Sequence, residues 1–170
     1  MPRALFYVLK HLSCYDCRPP ESTNQCNWME IKRTALILHS AADMFRLVQD
    51  VPAYPEFLSW CVRSQVHEQT ADDQLASLVV RIAGAEHSFT TRNRFVAAEQ
   101  LTLSLVDGPF SHLSGEWLFK ALGEEGCKVT LSLGFDFSSS LLSAAFRSGF
   151  AHVADSLVSD FAKRADQVYG

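Results

Sequence analysis

The sequence predicts an α+β fold in which a curved, seven-stranded antiparallel sheet surrounds one long C-terminal helix, with two short helices after the first strand. Three observations predict it. Six strand-like runs follow one another from Cys61 to Phe137, separated by turns too short for crossover helices. From about Leu141 the apolar period changes to that of a helix, with Phe146, Phe150, Val153, Leu157 and Phe161 on one stripe. Between an opening strand and Cys61, the helix signals are confined to two brief segments.

The first strand is read at Ile31 to Leu38. Ser40 then offers an N-cap, with Asp43 as a capping-box partner, for a helix carrying Met44, Phe45, Leu47 and Val48. Pro52 and Pro55 punctuate the next segment, Ala53 to Trp60, expected as a short helix or turn rich in aromatic groups. The six strands that follow are read at 61–69, 74–83, 87–96, 101–106, 112–121 and 127–137. The last is the clearest: Cys127, Val129, Leu131, Leu133, Phe135 and Phe137 alternate with polar or small residues, so one face of this sheet is buried. A helix over residues 141–168 would run on the order of 40 Å, at about 1.5 Å per residue, enough to cross the sheet. A sheet curled around one helix leaves a gap at its open end, and here Phe, Leu and Trp would line it.

Composition narrows the function. With 170 residues the chain fits one domain. Its 15 basic residues are outnumbered by 19 acidic ones, which argues against DNA as a partner. Five cysteines, with Cys14, Cys17 and Cys26 in the first 28 residues, do not form a disulfide framework. The apolar opening is too short for a secretory segment, so the protein is read as cytoplasmic. Residues 1–28 lack periodicity and are expected to be an extension, disordered or arising from an upstream start choice, ahead of a domain over 29–170. His11, Cys14, Cys17 and Cys26 have a spacing zinc accepts, but one Cys-x-x-Cys pair in an irregular stretch is not enough, and no metal site is assigned. His39, His67, His87, His112 and His152 have neither metal-site nor triad spacing, and no catalytic group is assigned.

Several segments resemble one family in order and spacing: Tyr54-Pro-Glu-Phe-Leu-Ser-Trp-Cys61, Phe89-Thr-Thr-Arg-Asn-Arg-Phe95, Leu105-Val-Asp-Gly-Pro-Phe110, Gly115-Glu-Trp-Leu-Phe119, Phe135-Asp-Phe-Ser-Ser and Phe161-Ala-Lys-Arg-Ala-Asp-Gln-Val-Tyr169. Residues 29–170 are similar to the coenzyme Q-binding / ribosome association toxin family, within the START-like lipid-transfer and polyketide-cyclase superfamily. The resemblance implies a helix-grip fold, a deep apolar cavity, and binding or chaperoning of ubiquinone or a similar prenyl lipid in support of respiration. It requires no cofactor beyond that lipid. For some bacterial members it implies instead a toxin that blocks association of ribosomal subunits, and older labels of the family imply a polyketide cyclase or dehydrase.

Alternation puts Phe89, Thr91, Asn93 and Phe95 on one face. If that face meets the cavity, Thr91 and Asn93 are suited to hydrogen-bond a quinone carbonyl or methoxy oxygen; satisfaction by neighbouring strands or water is the alternative. Trp117, Phe119, Phe135, Phe146, Phe150 and Leu157 are expected to line the same space or to fill the core. Tyr54, Phe57, Leu58 and Trp60, with Phe110 opposite, are expected at the entrance, an edge that suits peripheral contact with the inner membrane or packing over the sheet rim. For a ribosomal subunit, the local cationic candidates are Arg92, Arg94, Lys163 and Arg164.

Overall fold

A computed structural model describes residues 28–138 and 144–170. The chain runs through β1 (Met29–Ile37), α1 (Ala41–Gln49), a 3₁₀ turn (Val51–Ala53), α2 (Tyr54–Phe57), β2 (Cys61–Gln69), β3 (Asp73–Ile82), β4 (Ala85–Val96), β5 (Gln100–Asp107), β6 (Phe110–Ala121), β7 (Cys127–Phe137) and α3 (Ala144–Tyr169). The readings that concern residues 1–27, including the zinc spacing, and the expected start of the long helix near Leu141, lie outside the described residues.

All strand pairs are antiparallel, in the order β1-β7-β6-β5-β4-β3-β2. β2 to β7 form successive hairpins, and β1 joins at the far edge beside β7. The chain therefore has to travel from one sheet edge to the other between β1 and β2, which is the task of α1 and α2. Ser40 starts α1 as expected, its Oγ accepting from the Asp43 N–H at 3.1 Å. The segment expected over Ala53 to Trp60 is helical only from Tyr54 to Phe57, because Leu58 turns to an extended conformation as its N–H closes on the Tyr54 carbonyl.

β1 begins two residues earlier than its side-chain pattern indicated, since the ladder with β7 already pairs Met29 with Phe135. Two turns need their glycines or small residues. At the β3–β4 hairpin Ala83 and Gly84 both have positive φ, 51° and 80°, the two-residue turn that matches strand twist. Between β5 and β6, Gly108 has φ 147°, and a Cβ there would lie 2.6 Å from that of Phe89.

The sheet packs one face on α3, which buries Phe146, Phe150, Ala154, Val158, Phe161, Ala162 and Ala165. Small residues at 154, 162 and 165 let the helix backbone approach the sheet, while the phenylalanines fill the space between. α1 adds Met44, Phe45, Leu47 and Val48 to the same core. No helix among the described residues is long and apolar enough to cross a membrane.

Candidate functional site

The inner face of β4 carries Phe89, Thr91, Asn93 and Phe95, all less than 9% exposed, in the alternation the sequence predicts. Two of these are polar, and their hydrogen bonds form a chain. The Thr91 hydroxyl donates to Asn93 Oδ1 at 3.0 Å, Asn93 Nδ2 donates to Gln74 Oε1 at 3.0 Å, and Gln74 Nε2 donates to the Gln49 carbonyl at 3.2 Å and to Gln69 Oε1 at 2.7 Å. Gln49 is the last residue of α1, where helical carbonyls lack intrahelical partners, so Gln74 also caps that helix.

The direction of this chain is fixed from one end. Only an N–H can face the Gln49 carbonyl, so the Gln74 amide has one allowed orientation. Its oxygen then faces Asn93, which orients that amide in turn, and the Asn93 oxygen claims the Thr91 proton. Gln74, only 2% exposed, was not singled out in the sequence. The signal was there: Gln74 shares strand parity with Ala76, Leu78, Val80 and Ile82, so a glutamine stands on an apolar face.

Thr91 and Asn93 border a cavity of about 90 Å³ between sheet and α3. Phe89, Trp117, Phe150 and Leu157 also line it, together with Leu101, Leu103, Leu113 and Leu133 of the sheet and Val153, Ala154 and Phe161 of α3. Phe95, Phe119, Phe135 and Phe146 do not. Phe95 and Phe119 stand edge-on to Phe45 at 5.9 and 5.8 Å, occupied by the packing of α1. Phe135 and Phe146, 0% and 1% exposed, belong to a solid aromatic cluster with Phe110, Phe137 and Phe150.

The residues expected at an entrance do not form one surface. Leu58 and Phe110 are buried, Phe110 stacked on Phe137 at 5.3 Å, so neither is a lid. They turn inward because the 54–60 segment closes the core between α1 and β2, and because β6 already pairs Phe110 with Phe137. Phe57 lies outside the cavity, edge-on to Phe161 at 5.2 Å, with the Arg164 guanidinium 5.2 Å from its ring centre. Tyr54 and Trp60 do reach the cavity wall. The Tyr54 hydroxyl donates to the Val48 carbonyl at 2.6 Å, and burial, reinforced by Cys61 and Asp50, holds its phenol far above the ordinary range. The Trp60 Nε1 is buried and has no hydrogen-bond partner.

Outside, α1, the 54–57 helix, β2 and the end of α3 frame a wide surface groove bordered by Gln49, Asp50, Phe57, Gln69, Gln74, Arg164 and Tyr169. Gln74 therefore borders the groove and bonds to the cavity's Asn93. Each cationic candidate has an acidic neighbour. Arg92 bonds Glu68 and Asp73, Arg94 approaches Asp73 at 4.0 Å, Lys163 pairs with Asp160 at 3.5 Å, and Arg164 bonds Glu56 at 2.6 Å. Among the described residues no group of three or more His, Cys, Asp and Glu is placed to hold a metal. The buried thiols of Cys61 and Cys127 are each pushed up to about 11 by burial, so they stay protonated at neutral pH.

Residues 37–162 match the family described as polyketide cyclase / dehydrase and lipid transport. The chain belongs to that family. The chain is 44% identical over 140 residues to a Pseudomonas aeruginosa protein named ribosome association toxin RatA, covering 82% of this chain and 97% of that protein. It is 27% identical over 130 residues to the mitochondrial coenzyme Q-binding protein COQ10 of Drosophila melanogaster, covering 74% of this chain and 54% of that one. A START superfamily structure from Mycobacterium smegmatis shares the fold with a TM-score of 0.70 at 17% identity, covering 82% of this chain and 98% of that one. The curved sheet closed on a long C-terminal helix is thus the helix-grip architecture that the sequence predicts.

Proposed function

We propose that this chain is a ribosome-associating regulator that binds a ribosomal subunit and opposes the joining of subunits. The observation that carries the reading is its 44% identity to a protein named ribosome association toxin across nearly that protein's whole length. Cavity size supports the same order of preference. Pockets that enclose drug-sized ligands run about 300–1,000 Å³, whereas this one holds about 90 Å³, so a prenyl quinone would have to displace wall side chains.

The test is sedimentation of ribosomes with the purified full chain. The expected result is a rise in free subunits at the expense of joined ribosomes, and co-sedimentation with one subunit. Unchanged profiles, both at physiological salt and at lowered salt where contacts to RNA phosphates strengthen, would remove the reading.

A second reading rests on a different observation. An apolar cavity bordered by two hydrogen-bonding side chains, Thr91 and Asn93, supports the holding of an apolar ligand, ubiquinone or a related lipid among them. The 27% identity to a coenzyme Q-binding protein supports it as well. Organic extraction of protein purified from its native host, followed by mass spectrometry, tests this reading; a stoichiometric nonpolar molecule is expected, and a blank that persists after added quinone counts against it. Acid–base turnover of a polyketide has less support. Tyr54 is the one titratable group described on the cavity wall, and its proton is committed to Val48.

A further inference from the structure

Most of the sheet's outer face is polar, as a solvated antiparallel face should be. Its outward positions include Lys32, Thr34, Thr102, Glu116, Thr130 and Ser132, and the Thr34 and Thr130 hydroxyls share a hydrogen bond at 3.1 Å. One end of that face departs from the rule. The register sets Leu36 opposite Lys128 and Lys128 opposite Lys120, while Leu118 lies two residues before Lys120, opposite Thr130. Leu38 follows the end of β1, and Leu122 follows β6, where its N–H closes the β6–β7 turn on the Gly126 carbonyl. Leu36, Leu38, Leu118 and Leu122 are 61%, 70%, 39% and 50% exposed.

The charges around these leucines do not answer one another within the chain. Lys120 and Lys128 are a directly opposed cross-strand pair of like charge, an arrangement that costs stability. Glu124 and Glu125 occupy the turn between the same two strands. Among the described residues none of the four takes part in an ion pair. A hairpin with two cations on its strands and two anions at its tip is complementary to a copy of itself turned about a two-fold axis. It is not complementary to a uniformly anionic surface, RNA or acidic lipid, which would meet the glutamates along with the lysines.

We propose that this end of the outer face is a two-fold interface between copies of this chain, with the four leucines at its centre and Lys120 and Lys128 of each copy against Glu124 and Glu125 of the other. The leucines supply the affinity. The exposed ion pairs set the register, since surface pairs add little energy but penalise wrong juxtapositions. The apolar patch is on the order of a few hundred Å², more than singly scattered leucines present and less than the roughly 800 Å² per partner of a standard interface. The dimer is therefore weak, and its population follows concentration. Because α3 and the cavity lie on the opposite face of the sheet, the interface leaves both free and depends on neither reading of function.

Sedimentation velocity of the full chain from about 1 to about 100 μM tests it, the range in which so small an interface dissociates. The expected result is a monomer at the low end and a dimer at the high end. Leu38→Ser combined with Leu122→Ser, both at exposed positions, should weaken the dimer by about tenfold or more. Lys120→Glu with Lys128→Glu makes the hairpin wholly acidic, and Glu124→Lys with Glu125→Lys makes it wholly basic; each variant alone should shift to monomer, and an equimolar mixture of the two should recover a dimer. A chain that stays monomeric at the highest concentration overturns the proposal, and so does one that instead binds phosphatidylglycerol vesicles or RNA through this face. A dimer that none of the variants weakens overturns the assignment of the face, and loss in both charge variants without recovery on mixing overturns the pairing of lysine with glutamate. If the charge variants do not fold, the serine variant decides.

Discussion

The two ends of the space between sheet and α3 are built on the same strands, with the same alternation, and yet they are opposites. Around Phe110, Phe135, Phe137, Phe146 and Phe150, aromatic rings meet at centroid distances of 4.9 to 6.4 Å, and Phe135 and Phe146 are all but inaccessible. Around Thr91, Asn93 and Gln74 the same parity holds polar side chains, and the wall stands back to leave a cavity. One end is packed to stabilise the fold, and the other gives up packing to keep an oriented set of hydrogen bonds. The comparison separates positions where a substitution should damage stability from positions where it should damage the site.

The largest expected effect is at the packed end. Phe135→Ala should lower unfolding free energy by about 3–5 kcal/mol, because the rings around it cannot collapse into the void; Leu103→Ala, beside the existing cavity, should lie near the lower edge of the large-to-small range, about 2 kcal/mol. Urea denaturation of the two variants measures the difference, and equal losses would erase the distinction between the ends.

Gln74→Leu comes next. It strips the Asn93 amide and the α1 terminus of partners and should be destabilising by about 1–3 kcal/mol, whereas Leu at 74 and 93 combined with Val at 91 should recover the part of that loss due to Asn93, while the Gln49 carbonyl still lacks its donor. Thermal or urea unfolding of the single and triple variants checks it; a triple variant weaker than Gln74→Leu would mean the polar chain contributes stability of its own.

Leu103→Phe should change stability by less than about 1 kcal/mol, with its added volume entering the cavity, while closing that space to probes such as duroquinone. Calorimetric unfolding and a binding titration read the two effects separately.

The last effect is absent at neutral pH and appears only in alkaline solution. Burial raises the Cys61 and Cys127 thiols from about 9 to about 11 in the folded chain, so across that window the unfolded state releases protons that the folded state retains. Stability from this source is complete below about 9 and is lost as pH rises toward 11. Urea denaturation across this interval should show a falling free energy with a shallower slope in the Cys61→Ala, Cys127→Ala double variant.

Much of the architecture is legible in the sequence because its strands alternate strictly. β7 reads from Cys127 to Phe137 with the bounds the structure has, since all six inward positions are apolar or thiol and the flanking turn is rich in Gly and Glu. β4 is harder. Its first residues, Ala85 and Glu86, carry no apolar signal, and pairing with Ile82 and Arg81 across a two-residue turn makes them strand. The site is only half legible. Parity puts Thr91 and Asn93 on the inner face, but it cannot say that Phe95 and Phe119, on the same faces, meet Phe45 of α1 instead of the cavity, because that depends on where a helix from the other sheet edge lands. Nor does it distinguish a basic residue that faces solvent from one such as Arg92, held by Glu68 and Asp73 from neighbouring strands.

The chain of amides from Gln49 to Thr91 has a thermodynamic consequence beyond holding a wall in place. Gln74 is a single side chain with obligations on two sides, the carbonyl end of α1 by the outer groove and the Asn93 amide by the inner cavity. A group that competes for Asn93 from within weakens or strengthens the hold on α1 from without, and anything pressed against α1 in the groove alters what Asn93 can offer. By linkage the two influences would be equal in size, so a molecule held in the interior and one held on the exterior face would report on one another.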